Sequence, residues 1–115
     1  EKNRTTDIDN ILSKCNENTT LIFIANPNNP TGTMINLNQV QELAMKIPKR
    51  ALLVLDGAYA EYVDNYDGGI QLVKNTKNVI MIRTLSKIYG LGGMRVGWGF
   101  ASHGKKRTTA FFNQI

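Results

Sequence analysis

Apolar residues along the chain follow two different periods. Ile8, Ile11, Leu12 and Cys15 recur at helical spacing behind Thr5, Thr6 and Asp7, any of which can cap a helix N-terminus. Residues 20–25 (TLIFIA) instead form a short, β-branched apolar run, the pattern of a strand buried on both faces. That run breaks at Asn26-Pro27-Asn28-Asn29-Pro30-Thr31-Gly32, which can continue neither helix nor strand. Helical spacing returns in Leu37, Val40, Leu43, Ala44 and Ile47, with Asn36 as the cap, Gln39 at the capping-box position and Pro48 as the stop. Residues 51–55 (ALLVL) predict a second buried strand running into Asp56, and residues 78–83 (NVIMIR) a third running into Thr84-Leu85-Ser86-Lys87. Between them, 64–69 is rich in turn residues and 70–74 predicts a short helix. A glycine-rich stretch then precedes a fourth strand predicted over 95–101 (RVGWGFA), and 102–115 is expected to be helical.

Strands separated by helices and longer connections predict an α/β sheet in which at least the first three strands are parallel. A chain of 115 residues suits one domain or a piece of a larger one. Its opening at Glu1 rather than Met leads us to expect a fragment. The longest apolar runs span five residues, far below the roughly 20 of a membrane helix. The opening EKNRTTD lacks the apolar core of a signal peptide. One cysteine, Cys15, forms no internal disulfide, so a reducing, cytoplasmic setting is the default.

Charge alters this picture in one respect. The net +5 divides into −3 over residues 1–67 and +8 over 68–115, where no acidic residue occurs. Such a half suggests a nucleic-acid partner, yet its cations are dispersed and no helix-turn-helix or zinc-finger spacing accompanies them. Neither a nucleic-acid nor a membrane partner is expected. A solvated basic face, or a site for a small phosphorylated ligand, accounts for the imbalance.

The chemistry gathers at the strand ends. Asn29 lies beyond the first strand, Asp56 ends the second, and Thr84, Ser86 and Lys87 follow the third. In open α/β sheets ligands bind beyond the carboxyl ends of the strands. Arg95, eight residues after Lys87, can return across the glycine-rich turn to the same place. An amine, a carboxylate, a guanidinium and hydroxyls together suit a cofactor bearing a carbonyl, a basic ring nitrogen and a phosphate; pyridoxal phosphate has all three. Taken singly, each feature has a plainer reading: a turn at 26–32, a strand-end Asp, a half-buried Tyr59, a surface lysine. His103 is the only histidine, which leaves catalytic triads and histidine-rich metal sites without support. Neither GxGxxG nor GxxxxGK[ST] is present, and Trp98 and Phe100 alternate as core residues would.

Three stretches taken together go further. ANPNNPTGT (25–33), LDGAYAEYV (55–63) and TLSKIYGLGGMRVGWGFA (84–101) occur in this order. Asn29 and Asp56 are 27 residues apart, and Asp56 and Lys87 are 31 apart. In motif and spacing the chain resembles the fold type I pyridoxal-phosphate aminotransferases. The resemblance implies that residues 1–115 are a fragment of the large, cofactor-binding domain with its mostly parallel sheet, the N-terminal arm and small domain lying outside it. It implies an enzyme, homodimeric at full length, that passes an amino group between a small-molecule amino donor and a 2-oxo acid such as 2-oxoglutarate.

It also implies roles. Lys87 is the Schiff-base lysine and carries the proton in catalysis, and Asp56 pairs with the pyridine nitrogen and keeps it protonated. Asn29 and Tyr59 hydrogen-bond the ring oxygen. Thr84, Ser86 and Arg95 hold the phosphate, with the order of the two hydroxyls left open. Gly90, Gly92 and Gly93 allow close backbone approach. Where many relatives carry an acidic residue after the cofactor aspartate this chain has Gly57, which is expected to alter the loop rather than the chemistry. An aromatic aminotransferase, a decarboxylase of the same fold, or the non-catalytic aminotransferase-like domain of a transcription regulator remain alternatives.

Overall fold

The computed structural model describes residues 3–103 and 106–113. The elements in order are α1 (Ile8–Lys14), β1 (Leu21–Ala25), α2 (Leu37–Lys46), β2 (Leu52–Asp56), α3 (Ile70–Asn75), β3 (Val79–Thr84), β4 (Val96–His103) and β5 (Lys106–Asn113). Short 3-10 turns lie at Ala60–Tyr62 and Gly92–Met94. The five strands form one sheet in sequence order. β1 pairs parallel with β2 and β2 with β3, while β3–β4 and β4–β5 are antiparallel. The α/β class and the three parallel strands are as expected.

Local chemistry sets the helix limits. Asp7 caps α1 by accepting from the Asn10 N–H at 3.0 Å. At α2 the capping box is complete: Asn36 Oδ1 accepts from Gln39 N–H at 2.9 Å, and Gln39 Oε1 accepts from Asn36 N–H at 3.0 Å. α3 starts after Gly69, whose φ of 92° suits glycine, and the Asp67 carboxylate accepts from the Gly69 and Gln71 N–H groups, each at 2.8 Å.

One sheet face is sealed by the helices. Ile22, Ile24, Leu53, Leu55, Val79 and Met81 pack with Val40, Leu43 and Ala44 of α2 and Leu72 and Val73 of α3. Each such valine, leucine, isoleucine or methionine side chain contributes about 1.5–3 kcal/mol when fully buried. Ile8, Ile11, Leu12 and Cys15 of the first helical segment join the edge of this core, as do Trp98 and Phe100 of β4.

Two expectations are corrected. β1 is not buried on both faces: Leu21 and Phe23 are 52% and 65% exposed, because no described element covers their side of the sheet. Nor is 102–115 helical, since Ser102 and His103 complete β4 and Lys106–Asn113 returns beside it. The segment KRTTAFFN pairs β-branched threonines with two phenylalanines, a composition that favours a strand once β4 offers an edge. Gly104, Lys105, Gln114 and Ile115 lie outside the described residues. Among those described, no helix is long and apolar enough to cross a membrane, and no cluster of His, Cys, Asp or Glu could hold a metal.

Candidate active site

Parallel pairing aligns the C-terminal ends of the first three strands. Ala25 stands opposite Asp56, and Asp56 opposite Ile82, so the segments that leave these strands emerge at one edge of the sheet. Side chains alternate across a strand, so residues two positions apart share a face. Leu53, Leu55, Val79 and Met81 face the helices, which puts Asp56, Ile82 and Thr84 on the opposite face. Thr84 is paired there with Gly97.

The loop after β1 is held by Asn26, which is 1% exposed. Its Nδ2 donates to the Ile35 carbonyl at 3.0 Å and to Tyr66 Oη at 3.2 Å, while its Oδ1 accepts from the Ile35 N–H at 3.0 Å. Burial pushes the Tyr66 phenol above its ordinary value of 10.0. Within the loop, Gly32 at φ 68° turns the chain and its N–H donates to the Asn28 carbonyl at 2.8 Å. Thus fixed, Asn29 Nδ2 donates to Tyr59 Oη at 3.2 Å.

Lys87 completes this group, with its Nζ 5.0 Å from the Tyr59 ring centroid, a cation–π contact. Asp56 Oδ1 accepts from the Ala58 N–H at 2.9 Å, which anchors the carboxylate at the strand end. Thr84 Oγ1 accepts from the Ser86 N–H at 3.1 Å. Thr84, Ser86 and Arg95 all line a recess of about 240 Å³. A second hollow of about 350 Å³ lies between the loop of Asn29 and the rings of Tyr59 and Tyr62.

Two groups of predicted residues are therefore assembled: Asn29, Tyr59 and Lys87 in one, and Thr84, Ser86 and Arg95 in the other. Asp56 shares their edge of the sheet but bonds within its own turn. Arg95, at φ 52°, donates to the Gly92 carbonyl at 3.0 Å rather than to either hydroxyl. Of the three glycines in the loop, Gly90 alone has positive φ. Sequence reasoning passed over Asn26 and Tyr66, and also Arg83 with Glu61, which pair at 2.7 Å. A signal for Arg83 was available, since it continues the core-facing alternation Val79, Met81 with a charge that needs a partner. Gly57 lies against this arginine, where a Cβ would come 2.8 Å from Arg83 Nε, so a side chain there would reshape the loop.

The donors suit pyridoxal phosphate. An amine can take an aldehyde, a carboxylate can hold a protonated ring nitrogen, an amide and a phenol can address a ring oxygen, and two hydroxyls with a guanidinium line a recess suited to a phosphate. The sequence profile of the aminotransferase class I and II family matches residues 1–114, and the chain belongs to that family. Its relatives narrow the comparison. It is 56% identical over 115 residues to histidinol-phosphate aminotransferase of Cereibacter sphaeroides, covering all of this chain and 31% of that protein. The same enzyme of Ruegeria sp. strain TM1040 is 60% identical over 100 residues, 87% of this chain and 28% of the relative. The crystal structure of histidinol-phosphate aminotransferase from Sinorhizobium meliloti in complex with pyridoxal-5'-phosphate superposes with a TM-score of 0.73. That match has 37% identity and covers 83% of this chain and 26% of that one. The chain thus spans less than a third of the length of these relatives.

Proposed function

We propose that these residues are part of the large domain of a pyridoxal-phosphate-dependent aminotransferase, and that the whole protein exchanges an amino group between histidinol phosphate and 2-oxoglutarate in histidine biosynthesis. The observation that carries this reading is the placing of the Lys87 amine over the ring of Tyr59, itself bonded to Asn29, at the strand-end edge that also carries Asp56 and Thr84. Identity of 56–60% to two histidinol-phosphate aminotransferases supports the choice of donor.

When bound, pyridoxal phosphate supplies an aldehyde that condenses with amines and a ring that withdraws electrons from the substrate α-carbon. The chain does the rest. Lys87 Nζ would hold the aldehyde carbon covalently, the aldehyde oxygen leaving as water, and as the free amine it would carry the proton of the substrate α-carbon. Asp56, one oxygen held by Ala58 N–H, would place its charge against the ring N–H. Tyr59 Oη accepts from Asn29 and so keeps its own proton to donate to the ring oxygen, toward which the second Asn29 amide proton is also free. Thr84, Ser86 and Arg95, which line one recess, would hold the phosphate. A cytoplasmic homodimer without nucleic-acid or membrane partners belongs to the same reading, and the exposed Ile88, Tyr89, Leu91 and Met94 after Lys87 offer surface for such contacts.

The test is amino exchange by the full-length protein. Glutamate should form from 2-oxoglutarate with a higher kcat/KM for histidinol phosphate than for phenylalanine or tyrosine. Preference for the aromatic amino acids, release of carbon dioxide, or cofactor binding without turnover would overturn it.

A further inference from the structure

Arg83 is the one charged side chain buried among the described residues. It occupies the core face of β3 immediately before Thr84, which faces the other way. Its Nη1 donates to Glu61 Oε1 at 2.7 Å and its Nη2 to the Asp67 carbonyl at 3.1 Å. The Trp98 ring centroid lies 6.0 Å from the guanidinium carbon. Two glycine backbones close over the group, since a Cβ at Gly68 would come 1.6 Å from Nη2 and one at Gly57 2.8 Å from Nε. Nε itself has no partner among the described residues. Burying an ion pair costs desolvation that an apolar pair of the same size avoids, so what the pair adds over apolar packing is direction.

That direction matters for the site. Glu61 is the middle residue of the 3-10 turn Ala60–Tyr62, two positions after Tyr59, and Arg83 lies four positions before Lys87. The ion pair therefore bridges the two segments whose side chains meet in the 5.0 Å contact of Lys87 with Tyr59.

We propose that Arg83 and Glu61 are a positioning pair that sets Tyr59 against Asn29 and Lys87. Its catalytic consequence rests on the function proposed above, whereas the positioning itself can be read in the cofactor-free protein.

The test places 3-fluorotyrosine at position 59 of the full-length protein and follows its fluorine resonance without cofactor. The variant combining Arg83→Met with Glu61→Leu strands no charge and separates positioning from the penalty of an unpaired ion. Asn29→Ala supplies the resonance of a phenol freed from its amide donor. In the double variant the Tyr59 resonance should move at least halfway to the Asn29→Ala value while the protein still unfolds cooperatively. With cofactor added, kcat should fall by about a hundredfold and KM change little. Should the double variant fail to fold, Arg83→Lys keeps the charge and loses the planar fork, and it should move the resonance in the same direction. A Tyr59 resonance unmoved in the folded variant overturns the proposal. A moved resonance in a protein that attaches no cofactor at Lys87 supports the pair and removes the function assigned to the site.

Discussion

Asn26 offers a sharp test of how the site is held, because its amide carries out three tasks in a place closed to water. Asn26→Ala strands both backbone groups of Ile35, a residue only 3% exposed, and removes the donor to Tyr66. Each buried backbone group left without a partner costs about 1–3 kcal/mol, and the lost bond to Tyr66 about 0.5–1.5 kcal/mol. The sum, roughly 2.5–7.5 kcal/mol, is a large fraction of the 5–15 kcal/mol that holds a typical domain together. Tyr66→Phe leaves both Ile35 bonds in place and should cost only about 1 kcal/mol. Urea denaturation of the full-length protein gives the ranking, and hydrogen exchange over residues 26–36 gives the mechanism, since protection at the Ile35 amide should vanish in Asn26→Ala and persist in Tyr66→Phe. An Asn26→Ala protein within about 1 kcal/mol of the parent, with Ile35 still protected, would refute the reasoning.

The other predictions concern chemistry, pH and association. Asp56→Asn keeps the oxygen that anchors the turn but loses the charge, so cofactor should bind more weakly and half-transamination should slow by orders of magnitude, each tenfold being about 1.4 kcal/mol. Rapid mixing with amino donor checks this, and an undiminished chemical step would show that Asp56 does not supply the charge. Because the Tyr66 phenol is raised in the folded protein, its neutral form contributes stability that is complete below pH 10.0 and lost as pH rises through the folded value. Denaturation midpoints above that pH should therefore fall more steeply for the parent than for Tyr66→Phe. Expressed alone, these 115 residues should self-associate through the open face of Leu21 and Phe23, which sedimentation would reveal as species larger than 12.8 kDa.

What could be read from the sequence was largely what is local. The capping box of Asn36 and Gln39 spans three residues, and the structure reproduces it bond for bond. The alternation in β3 and the break at Asn26-Pro27 likewise depend on neighbours in the chain. Burial of Phe23 failed because it depends on what lies across the sheet, and β5 was missed because a hairpin partner decided the outcome at 106–113. Within the site the motifs pointed to Asn29, Tyr59 and Lys87, and the fold brings these three together. Their supports join residues far apart in sequence, 40 positions for Asn26 with Tyr66 and 22 for Glu61 with Arg83. No local period announces such pairs. A charge at a core-facing strand position was the one trace that Arg83 left.

Lys87 is one of nine lysines, and among the described residues its amine lies over Tyr59. Borohydride reduction of the full-length protein with its cofactor, followed by proteolysis and peptide mapping, finds which lysine is attached. The pyridoxyl group is expected on Lys87, and is expected to be lost in Lys87→Ala. A pyridoxyl group on Lys74 or Lys77, or on no lysine of this chain, would contradict this assignment.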